Sequence, residues 1–252
     1  NSTDELNNLG LVLKDLGKLQ EAKKIFKKCI ELKPSETSQI SNLISVLSKL
    51  CSFDEIEPFL PYLNILGLEG KGINPLYFMY LEDNPEHHLK RSIRFYDQTI
   101  KVESTPLSLE IKEKINIGYF SADFNNHPVM HMISSIFSLH NKDKFNIYLY
   151  HLGDKEDEYT KKIKGIGCNF KNIKKLNDLE AVELIRKDKI DIGIDLMGHT
   201  NKNRMRIFAY RIAPIQITYL GFPGSTGCKE IDYIIGDKNI IPEGSRKNYL
   251  EK

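Results

Sequence analysis

The chain has 252 residues, with 36 Lys and Arg against 34 Asp and Glu, so its formal charge is only +2. No strong field draws such a protein to nucleic acid or to a membrane surface, and we expect neither as a partner. No apolar run approaches the ~18 residues that a membrane span needs, and no signal peptide is visible. The four cysteines are far apart and show no CxxC spacing, which indicates free thiols and a cytoplasmic location.

The first 34 residues show the pattern of a helical repeat. Two predicted helices are joined by a turn at residues 17–18 and end at Pro34. Their inward faces consist of Leu6, Leu9, Gly10, Leu13, Ala22, Phe26 and Cys29. Small Gly10 and Ala22 would let the helices approach closely, while Phe26 fills the space beside them. The length and pattern are those of a tetratricopeptide repeat of ~34 residues.

A second, degenerate repeat is predicted to follow, so that residues 1–68 form antiparallel helix pairs. One repeat length further along, the corresponding positions are again apolar, namely Ile40, Leu43, Ile44, Leu47, Ile56, Leu60, Leu63 and Leu68. Pro58 and Pro61 interrupt the second helix of this pair. Residues 69–112 are predicted to be a connector with one helix from about Pro85 to Ile100.

From Ile115 onwards, predicted strands alternate with predicted helices. The strands cover 115–122, 145–151, 169–173, 190–196, 215–220 and 233–235. The helices cover 128–140, a charged stretch ending near 165, 178–187 with Asp178 as N-cap, and a stretch after 200. This alternation predicts a mostly parallel sheet with crossover helices over residues 113–252. No GxGxxG or P-loop motif occurs, which argues against a dehydrogenase or a P-loop enzyme.

Three polar loops follow strands of this predicted sheet. They are residues 123–128, residues 197–200 and residues 221–227. Because the carboxyl ends of parallel strands meet at one edge, we expect the loops to share a rim. Their glycines suit close approach to a sugar or a diphosphate. Their histidines suit proton transfer near neutral pH.

Each loop also has a purely structural interpretation. Residues 221–224 are compatible with a tight turn alone, and His199 with a cap of the following helix. His127 and His131 have the i, i+4 spacing of two zinc ligands on a helix. However, the residues between them contain no Glu, so we expect no metal.

The loop motifs resemble those of a known enzyme family. The stretch from Gly118 to Pro128, with His131, resembles the opening motif of the catalytic region of O-linked N-acetylglucosamine transferases. Residues 194–200 and 211–216 resemble two further blocks of that family. Segments 220–227 and 232–235 complete the resemblance in the family's order. It covers about residues 110–240, and a tetratricopeptide array that leads into this region is also the family's layout.

The resemblance implies an α + α/β chain. Tetratricopeptide helical hairpins would be followed by a Rossmann-like parallel sheet, the first lobe of a two-lobe GT-B glycosyltransferase. It also implies inverting transfer of a sugar from a UDP-sugar, with UDP-N-acetylglucosamine as the expected donor, to Ser or Thr of a protein. No cofactor or metal would take part. The expected partners are the UDP-sugar and protein or peptide acceptors, held by the repeats and the cleft.

By resemblance, the histidine at the position of His127 is the candidate catalytic base. We expect it at the rim, with a ring nitrogen free and His131 beneath it, so that His127→Ala would lower turnover without affecting stability. The other residues expected at the substrates are Asp123, Asn126, Pro128, His131, Gly198, His199, Thr200, Gly221, Pro223, Gly224 and Thr226.

The sequence stops at Lys252, before the second lobe that in this family supplies most uridine and diphosphate contacts. We therefore expect this chain alone to be inactive. Two alternatives stay open on the sequence. One is a catalytically idle tetratricopeptide module that binds proteins, and the other is a relative that glucosylates Asn. The reading frame downstream of Lys252 would discriminate between an enzyme and a binding module.

Overall fold

The computed structural model describes residues 2–34, 36–109 and 112–252. The chain divides into two compact units, Asn1–Gln98 and Thr99–Lys252. The stretch predicted as a connector, 69–112, therefore contributes its part up to Gln98 to the first unit. Over the ranges described, no helix is both long and apolar enough to span a membrane.

The first unit opens with the predicted helix pair, α1 (Thr3–Asp15) and α2 (Leu19–Leu32). A methyl group added at Gly10 would lie 2.6 Å from the ring of Phe26, so the predicted close approach at this glycine is confirmed. Ala22 and Phe26 are completely buried. Leu9, in contrast, is predicted on the inward face but is 46% exposed.

The second predicted pair has only its first helix, α3 (Thr37–Lys49). The predicted second helix is wrong, because the chain forms short 3-10 segments at Phe53–Glu55 and Glu57–Asn64. Pro58 and Pro61 lack the backbone N–H that a continuous α-helix uses. The apolar pattern still builds the core, except that Leu60 is 41% exposed.

Another 3-10 segment, Pro75–Phe78, and helix α4 (Pro85–Thr99) complete this part of the chain. Arg91 of α4 is fully buried. Its Nε donates to the carbonyl of Leu66 at 2.9 Å, and its guanidinium lies 4.3 Å from the centre of the Phe78 ring. A buried cation of this kind offsets its desolvation through such contacts.

The second unit contains six strands and four helices over its described residues. The strands are β1 (Ile115–Ser121), β2 (Phe145–His151), β3 (Asn169–Asn172), β4 (Ile192–Asp195), β5 (Ile215–Tyr219) and β6 (Tyr233–Ile235). The helices are α5 (Pro128–Leu139), α6 (Glu158–Gly165), α7 (Asp178–Lys187) and α8 (Met205–Ala209), and a 3-10 segment covers Glu243–Asn248. The strand order is β3-β2-β1-β4-β5-β6, and every pairing is parallel, as predicted.

Side chains of β1 pack on both faces of the sheet, which explains its continuous apolar run. Phe120 stacks on Tyr150 with ring centres 4.6 Å apart, and Tyr119 packs edge-on against Phe137. One helix start differs from the prediction. The N-cap of α7 is Asn177 and not Asp178, because the Asn177 side chain accepts from the Glu180 N–H at 3.0 Å in a capping box.

Strand β1 lies between β2 and β4, where the order of the sheet reverses direction. The loops that follow β1 and β4 leave the sheet at this switch point. In open α/β sheets, ligands bind in the crevice outside the carboxyl ends of the strands at such a point. The fold therefore places the loops after Ser121 and Asp195 at the expected binding position.

Candidate active site

His127 lies between β1 and α5 and caps the helix. Its backbone is extended, with φ −142° and ψ 147°, and Pro128 takes the first helical position. Nδ1 of the ring accepts from the N–H of Val129 at 3.3 Å. The side chain is 40% exposed, and the Asp123 carboxylate lies 3.8 Å from Nδ1.

These contacts determine which nitrogen of His127 carries the proton. Because Nδ1 accepts from Val129, a neutral ring carries its proton on Nε2. Nε2 is then a donor toward a ligand. To accept a proton there, the ring must first carry its proton on Nδ1, where the nearby Asp123 carboxylate can receive the hydrogen bond.

His131 is exposed on the surface of α5, and the expected position beneath His127 is wrong. Its Nε2 lies 2.9 Å from Oδ1 of Asn126, and its Nδ1 lies 2.8 Å from the hydroxyl of Tyr159. The backbone of Asn126 donates to Asp157 at 2.8 Å, and this bond lowers the pKa of that carboxyl group. His131 thus fixes the Asn126 side chain within the loop.

The second loop folds around Asp195, the last residue of β4, which is only 2% exposed. Its carboxylate accepts from the N–H groups of Met197 at 3.0 Å and of Gly198 at 2.7 Å. Burial raises the pKa of Asp195 to about 6, although the two hydrogen bonds act in the opposite direction. Sδ of Met197 lies 3.3 Å from the backbone nitrogen of Ala122, so this loop contacts the one after β1.

His199 is 1% exposed and lies in the interior of the unit. Its Nε2 donates to the carbonyl of Thr226 at 2.6 Å, and burial lowers its pKa to about 4. The ring packs edge-on against Phe222, with ring centres 5.2 Å apart. Gly198 has φ +55°, and a methyl group there would overlap Phe222. This histidine therefore connects the second and third loops.

The third loop follows Leu220, which has φ +71°. Gly221 packs directly on the backbone of Leu196, and the stretch from Gly224 to Gly227 is buried. Pro223 is exposed, and its carbonyl accepts from the Tyr249 hydroxyl at 3.2 Å. Only the start of this loop thus reaches the rim.

A cavity of about 410 Å³ opens at the switch point. It is lined by Asp123, His127, Val129, Leu196, Thr200, Asn201, Lys202 and Gly221. Four of these are predicted site residues, namely Asp123, His127, Thr200 and Gly221. The others, which do not line it, are Asn126, Pro128, His131, Gly198, His199, Pro223, Gly224 and Thr226. Pro223 instead lines an apolar cavity of about 460 Å³ beside β6.

Sequence reasoning missed four residues of the cavity wall. Leu196 and Val129 adjoin predicted residues, and Asn201 and Lys202 directly follow Thr200. Extending the second loop to the start of α8 would have included the last two. Lys202 has φ +62°, so its backbone adopts the left-handed region that is uncommon for a lysine.

Two other observations delimit the site. A larger cavity of about 630 Å³ lies among residues 234–252, away from the loops after β1 and β4. The switch-point cavity is the better candidate because it combines a histidine, a carboxylate and a cation at the carboxyl ends of the strands. Among residues 2–34, 36–109 and 112–252, no three His, Cys, Asp or Glu side chains are grouped to hold a metal ion.

Gly221→Ala is expected to destabilise the second unit by about 1–3 kcal/mol. The added methyl group would overlap the carbonyl oxygen of Leu196 and push the two loops apart. Gly165→Ala is the control, because a methyl group at the end of α6 meets no heavy atom within 4 Å. Thermal unfolding of both variants tests the contact, and equal stability would contradict it.

Comparison with known proteins identifies the chain's relatives. The model of Glycosyl transferase family 41 matches residues 98–252, and a tetratricopeptide repeat model matches residues 6–36. The chain is 35% identical over 153 residues to a probable UDP-N-acetylglucosamine–peptide N-acetylglucosaminyltransferase of Arabidopsis thaliana, covering 58% of this chain and 16% of the relative. With such a transferase of Caenorhabditis elegans it shares 31% over 174 residues, 65% of this chain and 14% of the relative.

The fold agrees with these matches. A mutant O-GlcNAc transferase of Thermobaculum terrenum superimposes with a TM-score of 0.76 at 25% identity, covering all of this chain and half of that one. The predicted fold class is thereby confirmed: helical repeats precede a parallel sheet that is the first lobe of a GT-B glycosyltransferase. Since the match to the catalytic family extends over more than half of the sequence, the chain belongs to glycosyl transferase family 41.

Proposed function

We propose that the chain supplies the repeats and the first catalytic lobe of an inverting glycosyltransferase. This enzyme would transfer N-acetylglucosamine from UDP-N-acetylglucosamine to Ser or Thr hydroxyls of proteins. The observation that carries the proposal is the cavity at the switch point, into which His127 and Asp123 converge in a family 41 lobe. The names of the relatives from Arabidopsis thaliana and Caenorhabditis elegans support this donor and a peptide acceptor.

The cavity offers the groups that such a transfer needs. A serine hydroxyl attacks poorly until its proton is removed, and a positioned base contributes ~10²–10⁴-fold. Nε2 of His127 has no hydrogen-bond partner in the described part of the chain. It can take this proton once Nδ1 gives up its hydrogen bond from Val129 and is protonated toward Asp123. Asn201 and Lys202 add hydrogen-bond donors to the cavity wall, which suit the oxygen-rich sugar.

We further propose that the reaction requires no metal. The i, i+4 pair His127 and His131 is unsuited to chelation as it stands, because both ring nitrogens of His131 are hydrogen-bonded within the protein. A cytoplasmic location also belongs to the proposal, and the four free cysteines are in keeping with it. The proposed protein partners are acceptors that bind the helical repeats and the cleft.

Incubating the full-length protein with radiolabelled UDP-N-acetylglucosamine and a Ser/Thr-rich peptide is expected to label the peptide. Inversion at the anomeric carbon would make the label removable by a β-specific hexosaminidase, and chelation of divalent cations would leave the rate unchanged. Parallel reactions contain UDP-glucose or an acceptor with Asn in place of Ser and Thr. Labelling of Asn from UDP-glucose, or no labelling with either donor, would contradict the proposal.

A further inference from the structure

Glu251 makes an unusual set of contacts for a carboxylate near the end of the described chain. It is only 5% exposed. It accepts from Oγ of Ser225 at 2.7 Å, from the N–H of Thr226 at 2.8 Å and from Oγ1 of Thr226. All three donors are uncharged and belong to the third loop. A buried charge held by neutral donors fixes their positions, because losing any of them costs free energy.

Both hydroxyl groups donate to Glu251, while their oxygens accept from backbone N–H groups on other sides. Oγ of Ser225 already accepts from the N–H groups of Gly227 at 3.3 Å and of Leu250 at 3.2 Å. Oγ1 of Thr226 accepts from the N–H of Cys228 at 3.2 Å. Their protons therefore point at Glu251, which organises the turn of the loop from a position 25 residues away in sequence.

The same network reaches the wall of the cavity. The carbonyl of Thr226 accepts from buried His199, whose ring packs on Phe222. Phe222 in turn fills the space beside Gly198. Thr200 and Gly221, which line the cavity, flank these contacts in sequence. Glu251 itself lies outside the cavity wall and acts through Thr226 and His199.

We propose that Glu251 is a positioning residue that holds the third loop, residues 221–227, in the conformation in which its start, Gly221, lines the cavity for the sugar donor. The proposal rests on the proposed function, since it assigns the loop to the donor. Without the carboxylate, the binding conformation would be one of several that the free protein samples. Apparent affinity falls in proportion to the fraction of binding-competent protein. Saturating donor restores that fraction, so the effect lies in KM.

Glu251→Gln is the informative variant because it keeps size and shape. The amide retains one accepting oxygen but turns an NH₂ group toward Ser225 or Thr226. We expect the KM for UDP-N-acetylglucosamine in the full-length protein to rise about tenfold, with kcat nearly unchanged. A purely structural role would lower the amount of folded enzyme and leave KM unaltered. An unchanged KM would therefore overturn the proposal.

Asp191→Asn is the matched control. Asp191 is 3% exposed and accepts from the N–H of Asn116 at 2.8 Å and from Lys112 at 2.7 Å, just before β4 at the amino end of the strands. The substitution makes the same carboxylate-to-amide change as Glu251→Gln, but at a position away from the cavity. We expect it to lose stability while KM stays at the wild-type value. A rise in KM as large as that of Glu251→Gln would overturn the assignment to the loop.

A second measurement keeps this inference separate from the proposed function. Amide hydrogen exchange at Thr226, Gly227 and Cys228, recorded without substrate, is expected to be about tenfold faster in Glu251→Gln than in Asp191→Asn. Equal exchange rates would overturn the positioning role even if the wild-type protein transfers sugar. If the wild type transfers none, the proposed function fails, and the exchange rates still decide whether Glu251 holds the loop.

Discussion

Replacing His127 with asparagine is expected to lower the turnover of the full-length protein by about 100-fold or more while its thermal unfolding stays near that of the wild type. Asparagine is among the best N-cap residues, and its side-chain oxygen can accept from the N–H of Val129 as Nδ1 of His127 does. It has no group that titrates near neutral pH. The variant thus removes the proposed base and retains the start of α5.

His127→Ala separates the two roles. Alanine removes the base and the cap together, so it should show the same loss of turnover and a loss of about 0.5–2 kcal/mol in the free energy of unfolding. The sequence alone predicts no effect of this variant on stability, because it does not reveal the capping bond. Turnover is measured at saturating donor and acceptor, and stability by urea unfolding. If His127→Asn keeps near-normal turnover, the base is a different residue. If it is as unstable as His127→Ala, Nδ1 does not cap the helix.

The sheet could be predicted because its strands carry continuous apolar, β-branched or aromatic runs, and because alternating helices require parallel crossovers. Phe145–His151 and Tyr233–Ile235 have the predicted bounds. The shared position of the three polar loops could be predicted for the same reason, because the carboxyl ends of parallel strands lie at one edge of the sheet. Asp123, Thr200 and Gly221 line one cavity although at least 20 residues separate each from the next.

The predicted position of His131 beneath His127 is wrong because it assumes helical spacing between the two residues. The i, i+4 rule applies to two residues inside one helix. His127 has extended backbone and stands before the first turn, so the two side chains do not form such a pair. The cap of α7, in contrast, has a readable signal in the sequence: Asn177 has Glu180 three residues later, which completes a capping box, whereas Asp178 has Ala181.

The roles of His199 and Thr226 could not be predicted from local sequence. Both are buried by contacts with residues far along the chain, Phe222 for the first and Glu251 for the second. A polar residue after a strand is compatible with either a wall of the cavity or a support behind it. Only the three-dimensional packing decides which, and here it places His199 behind the wall.

Asp195 and His199 respond to pH in opposite ways. The pKa of Asp195 is raised from 3.8 to about 6, so its contribution to stability is fully present below pH 3.8 and is lost as the pH rises through 6. The pKa of His199 is lowered from 6.5 to about 4. Its contribution is present above pH 6.5 and is lost as the pH falls toward 4, because the unfolded chain binds the proton more tightly. Between pH 4 and 6, the changes that the two groups cause in the free energy of unfolding have opposite signs and largely cancel.

His199→Gln is expected to remove the pH dependence of stability that His199 contributes. Glutamine can still donate to the carbonyl of Thr226 but does not titrate. Lowering the pH from 7 to 4 should therefore destabilise the wild type through His199 but not the variant. The unfolding free energy of the variant relative to the wild type should rise by about 3 kcal/mol over this range. This value follows because each tenfold difference in proton affinity between the folded and unfolded chains corresponds to about 1.4 kcal/mol. Asp195→Asn is the matched control and should show a difference of opposite sign, because it removes the carboxyl group that gains stability in acid. Urea unfolding at several pH values measures both differences. A difference for His199→Gln that does not vary with pH would mean that the His199 pKa is the same in the folded and unfolded chains, in which case its ring would not be buried behind the cavity wall.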